Sequence, residues 1–135
     1  KVHSPLVSKG GADLIIALEA AEALRSLSYA NEETVLVFNE KVFAPADISS
    51  EGPTLAEIKK TLEDNLSQVY TCDADKIARD VTGDIMSVNI YMLGFVLAKK
   101  ALPLDKEVVW EAVKEKIAER FWDQNREVFD ASLSS

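Results

Sequence analysis

Two uninterrupted apolar runs, each the length of one strand, constrain this chain most. They read DLIIAL at residues 13–18 and TVLVFN at residues 34–39. Apolar runs without alternation are typical of strands buried on both faces, as in parallel sheets. The segment between them, from 19 to about 28, has apolar residues at helical spacing, namely Ala20, Ala23, Leu24 and Leu27. Because parallel strands need a crossover of this kind, the pattern predicts a β-α-β unit.

The rest of the chain first continues this order of strands and helices and then predicts helices only. Residues 41–43 are a candidate extension of the second strand, and residues 44–52 read as an irregular loop. Thr54 and Glu57 have the spacing of a capping box at the start of a helix. Residues 68–72 predict a third strand, and only helices are expected beyond it. Asp73 is the predicted cap of a helix that ends at Gly83, Asp105 caps a later one, and residues 121–133 form the last.

The segment at residues 84–102 is apolar on nearly every side, with Asp84 as its predicted N-cap. Such a helix is either buried or spans a membrane. A membrane span needs about 20 mostly apolar residues, whereas this run is shorter, contains Asn89 and Gly94, and ends in two lysines. We therefore expect a buried core helix. The predicted fold is an α/β, parallel-sheet, three-layer (Rossmann or flavodoxin-like) single domain over residues 1–135, with a helical C-terminal half.

The charge and the cysteine content exclude several classes of function. The chain has a net charge of -8, which argues against binding to nucleic acid or to an anionic membrane surface. One cysteine and one histidine cannot form a zinc site, and one thiolate cannot hold an iron–sulfur cluster. Any such cofactor would belong to another chain. His3 has no evident catalytic partner nearby, and Cys72 reads as a small core residue.

Ligands of open α/β sheets bind beyond the carboxyl ends of the strands. The carboxyl ends of the three predicted strands are at Glu19, at Asn39 with Glu40, and at Cys72 with Asp73. Glu19 and Asp73 equally suit helix first turns, where a carboxylate caps or favours the dipole.

Two asparagines lie on otherwise apolar helix faces, Asn89 and Asn125. Each either bonds a loop backbone and fixes helix packing, because buried amides need partners, or faces a ligand or a partner subunit. The residues alone leave both alternatives open.

Six short motifs, in this order and spacing, resemble one protein family along the whole chain. They are KVHSPLV at residues 1–7, GGADLIIALEAAEALR at 10–25, TVLVFN at 34–39, DADKIA at 73–78, NIYMLG at 89–94 and NREVF at 125–129. The chain resembles the gamma subunit, or gamma domain, of 2-oxoacid:ferredoxin oxidoreductases, most closely the small subunit of the indolepyruvate enzymes. Members of the family begin with a strand and a G-x-G-G turn. The resemblance therefore implies that an N-terminal β-α-β part is missing here.

The resemblance also implies a function that other subunits share. The family oxidatively decarboxylates a 2-oxoacid to an acyl-CoA and reduces ferredoxin, using thiamine diphosphate and iron–sulfur clusters. It implies that these cofactors, and CoA, belong to the assembled cytoplasmic hetero-oligomer and that a larger thiamine-binding subunit is the partner. We expect any ligand contacts of this chain at Ser4, Pro5, Glu19, Asn39 and Asn89.

Two other hypotheses stay open. One is a stand-alone flavodoxin-like module that binds a nucleotide or a flavin. The other is a scaffold whose acidic residues Glu107, Glu111 and Glu115 hold a partner.

Overall fold

A computed structural model of the chain describes residues 6–42 and 52–135. The chain divides after Cys72 into two compact units, here called the sheet unit and the helical unit. The prediction of one domain stays a prediction. Ser4, Pro5, His3 and most of the expected loop at 44–52 lie outside the described residues.

The sheet unit contains three parallel strands in the order β1-β2-β3. They are β1 (Leu14–Ala17), β2 (Val35–Asn39) and β3 (Gln68–Cys72). Helix α1 (Ala20–Ser26), extended by a short 3-10 turn, connects the first two strands, and α2 (Leu55–Asn65) precedes the third. The predicted β-α-β unit, the third strand and the α/β class are confirmed.

Both helices of the sheet unit pack on one face of the sheet. Small residues of α1 and branched residues of α2 form one cluster with the central strand, comprising Ala20, Ala23, Ile58, Leu62, Leu36 and Phe38. Full burial of a residue such as Leu or Phe contributes about 1.5–3 kcal/mol. This cluster therefore holds the helices on the sheet and positions the ends of the strands.

The helical unit contains α3 (Ala74–Thr82), α4 (Val88–Ala98), α5 (Lys106–Lys114) and α6 (Trp122–Leu133). Helix α4 contacts the other three and has buried residues on most of its sides, as its apolar sequence predicted. Trp110 of α5 packs on Phe129 of α6, with ring centroids 5.7 Å apart. No helix within the described ranges is long and apolar enough to cross a membrane.

The predicted helix caps are largely confirmed. The amide of Thr54 donates to Glu57 Oε2 at 2.8 Å, and the amide of Glu57 donates to Thr54 Oγ1 at 3.3 Å. Asp73 accepts from an amide of the first turn of α3, and Gly83 ends that helix at φ 74°. Asp105 caps α5. These side chains satisfy amide groups that a helix start leaves free.

The predicted bounds of the central helix are wrong at both ends. Asp84 accepts from the amides of Ile85 and Met86, so it closes a separate turn and α4 begins only at Val88. At the other end Lys100 adopts a left-handed φ of 56°. The amide of Ala101 then donates to the Val96 carbonyl at 3.1 Å. This is the Schellman arrangement that ends helices, here with lysine where glycine is usual.

One smaller prediction also needs correction. Residues 41 and 42 do not extend β2, because the chain turns so that the Lys41 carbonyl accepts from the amide of Ala20 at 3.0 Å. The last helix, predicted from about residue 121 to 133, is confirmed: it starts at Trp122, after a 3-10 turn at Glu119–Phe121, and ends at Leu133.

Candidate functional site

Asn39 lies at the carboxyl end of the central strand and ties two strand ends together. Its side chain is fully buried, and Nδ2 donates to the Leu18 carbonyl at 3.1 Å. The next amide, of Glu40, donates to the Cys72 carbonyl at 2.9 Å. The residue predicted for ligand contact therefore has a structural role at this edge, and its role in binding stays a prediction.

Glu40 is the centre of a polar cluster that our sequence interpretation did not identify. Its Oε1 accepts from Lys59 Nζ at 2.7 Å and from Thr71 Oγ1 at 3.2 Å. The Glu40 and Lys59 side chains are 28% and 32% exposed, so solvent still screens the pair. The three side chains come from separate segments of the chain, so no pattern within one segment of the sequence predicts this cluster.

Glu19 occupies the position before α1 and is half-buried. Its side chain makes no capping hydrogen bond, so the capping alternative is wrong for Glu19 and right for Asp73. The first amide of α1 is satisfied by the Lys41 carbonyl instead. The Glu19 carboxylate thus makes no hydrogen bond to the first turn of α1. Its predicted contact with a ligand stays a prediction.

Asn89 lies in the helical unit and is exposed. The expectation of a buried amide is therefore wrong for Asn89. It lines a cavity of about 400 Å³ together with Ser87 and Asn125. Asn125 is the half-buried amide: its Oδ1 accepts from Ser87 Oγ, and its Nδ2 donates to the Phe121 carbonyl, both at 2.8 Å. Asn125 thus joins the start of α4 to α6, as the packing alternative predicted.

The predicted site residues belong to different parts of the chain. Glu19 and Asn39 lie in the sheet unit, Asn89 lies in the helical unit, and Ser4 and Pro5 are outside the described ranges. Within residues 6–42 and 52–135, no group of three His, Cys, Asp or Glu side chains could hold a metal ion. Cys72 is buried at the end of β3.

The helical unit also carries an apolar groove of about 430 Å³ between α4 and α5. One wall consists of residues spaced by four along and beyond α5, and the other of residues on α4. We call this the α4–α5 groove and define it by Leu104, Val108, Ala112, Lys116, Ile90 and Leu93. The sequence signal was the doubling of apolar positions in α5, where Val108 precedes Val109 and Ala112 precedes Val113. That stripe is wider than one neighbouring helix covers.

Comparison with known proteins identifies the family. The model of the pyruvate ferredoxin/flavodoxin oxidoreductase family matches residues 1–135, the whole chain. The chain belongs to this family. The resemblance inferred from the six motifs is thereby confirmed.

Two curated members of the family are similar to this chain over most of its length. The indolepyruvate oxidoreductase subunit IorB of Methanothermobacter thermautotrophicus is 33% identical over 132 residues, which cover 96% of this chain and 67% of that protein. The IorB subunit of Archaeoglobus fulgidus is 32% identical over 127 residues, covering 92% of this chain and 63% of that protein. The family member described here thus spans about two thirds of the length of these relatives.

A solved structure supports the fold. The gamma subunit of a keto/oxoacid ferredoxin oxidoreductase from Geobacter sulfurreducens superimposes with a TM-score of 0.63 at 20% identity. The match covers 90% of this chain and 62% of that subunit. The α/β fold predicted from the sequence is therefore shared with that subunit.

Proposed function

We propose that this chain is a gamma-type subunit of a 2-oxoacid:ferredoxin oxidoreductase, with indolepyruvate or another aryl pyruvate as substrate. The observation that carries the proposal is the family match over the whole chain, joined by IorB relatives above 30% identity. In this proposal the enzyme is a cytoplasmic hetero-oligomer that passes its electrons to ferredoxin.

The cofactor chemistry is proposed to belong to partner subunits. An iron–sulfur cluster needs several thiolates, and Cys72 is the only cysteine and is buried. The described residues therefore do not fit a cluster. Thiamine diphosphate and CoA are likewise expected on the assembled enzyme, where thiamine diphosphate supplies carbanion stabilisation. The role proposed for this chain is to hold a larger thiamine-binding subunit in its working arrangement.

The test is an anaerobic native purification of the full-length protein through an affinity tag, followed by mass identification and a visible spectrum. The expected result is a brown complex that contains a thiamine-binding chain and reduces a viologen dye when an aryl pyruvate and CoA are added. Neither chain alone should catalyse this reduction. A colourless protein that always purifies alone would overturn the proposal.

The alternative, a stand-alone nucleotide- or flavin-binding module, gains no support from the described strand ends. Asn39 is committed there to the Leu18 carbonyl, and Glu40 is committed to Lys59 and Thr71. Calorimetric titration of the full-length protein with FMN and with ATP tests this alternative directly. Tight binding without any partner chain would favour it over the oxidoreductase subunit.

A further inference from the structure

We draw no further inference here: the strongest candidate, the apolar face between α4 and α5 on which Leu104 and Val108 stay exposed, carries none, because nothing in the described part of the structure shows what covers it.

Discussion

Replacing Gly94 by alanine tests how closely α4 and α6 approach. A β-carbon at position 94 would overlap Ser132 Oγ and lie 3.0 Å from the Phe129 carbonyl oxygen and 3.1 Å from Ser132 Cβ. Ser132 is fully buried and its hydroxyl donates to the Phe129 carbonyl at 2.6 Å. Even when the hydroxyl rotates away, the Phe129 carbonyl oxygen belongs to the backbone and stays too close, so α4 and α6 must move apart by a few tenths of an ångström to admit the added methyl.

The expected cost is the difference between two opposing effects. Overpacking a tight core costs about 1–3 kcal/mol, while alanine is favoured over glycine inside a helix by about 1 kcal/mol. We therefore expect Gly94→Ala to lower the free energy of unfolding by about 1–2 kcal/mol. Adding Ser132→Gly removes two of the three close contacts, so the same alanine should then cost about 1 kcal/mol less.

The assay is urea unfolding followed by tryptophan fluorescence, because both tryptophans, Trp110 and Trp122, lie in the helical unit. Gly83→Ala is the matched control: Gly83 has a φ of 74° and no neighbour within 4 Å of an added β-carbon. It should be destabilised by backbone strain, with no dependence on Ser132. A Gly94→Ala protein as stable as the wild type, or equally destabilised with and without Ser132, would refute the close-approach argument.

Four further predictions concern polar contacts. Asn39→Ala should lower the free energy of unfolding by about 1–3 kcal/mol, because the fully buried Asn39 side chain and its hydrogen bond to the Leu18 carbonyl are lost; unchanged urea unfolding would exclude this tie. Thr54→Ala should cost about 1 kcal/mol in the same assay through loss of the helix cap. Hydrogen bonds from Thr54, chiefly from its amide, lower the pKa of Glu57. The stability that ionised Glu57 provides is therefore present above its unfolded pKa, and the deficit of Glu57→Gln should vanish as the pH falls through the folded pKa. Glu107→Gln breaks the two-point pair with Arg126; its small loss of stability should shrink at high salt, and a salt-independent loss would contradict an ionic origin.

The pair between Glu107 and Arg126 also bears on the scaffold hypothesis. Arg126 donates to both carboxylate oxygens of Glu107 at 2.9 Å, and hydrogen bonding from Arg126 lowers the pKa of Glu107. Charge reversal at Glu107 would thus disturb the contact between α5 and α6 inside this chain. Glu115 is exposed and makes no ion pair with the described part of the chain, so its reversal tests a partner contact more cleanly.

Local sequence signals predicted the elements well where the cause is local. The apolar runs gave the strands their positions, and the capping side chains Thr54, Asp73 and Asp105 placed three helix starts. The central helix was predicted too long because both of its ends depend on backbone geometry. Neither the turn closed by Asp84 nor the left-handed Lys100 has a strong signature, since lysine seldom adopts that conformation.

The sequence likewise predicted the position of some candidate site residues but not the contacts that they make. The apolar run correctly placed Asn39 at the carboxyl end of the central strand, but its amide donates to the Leu18 carbonyl. The cluster of Glu40, Lys59 and Thr71 joins residues from three separate elements. Apolar periodicity cannot predict such a cluster. It indicates on which side of its own helix or strand a residue lies, but not which residue of another element packs against it.

The sequence by itself determined the α/β class, the parallel strands, most of the helix caps and the family. These depend on apolar periodicity, on the capping chemistry of single side chains and on motifs that keep their order. Only the tertiary structure decided that Asn125 is held between helices while Asn89 is exposed, and that one side of α5 stays uncovered. Burial is a property of what packs against a residue, and that depends on the arrangement of all the neighbouring elements.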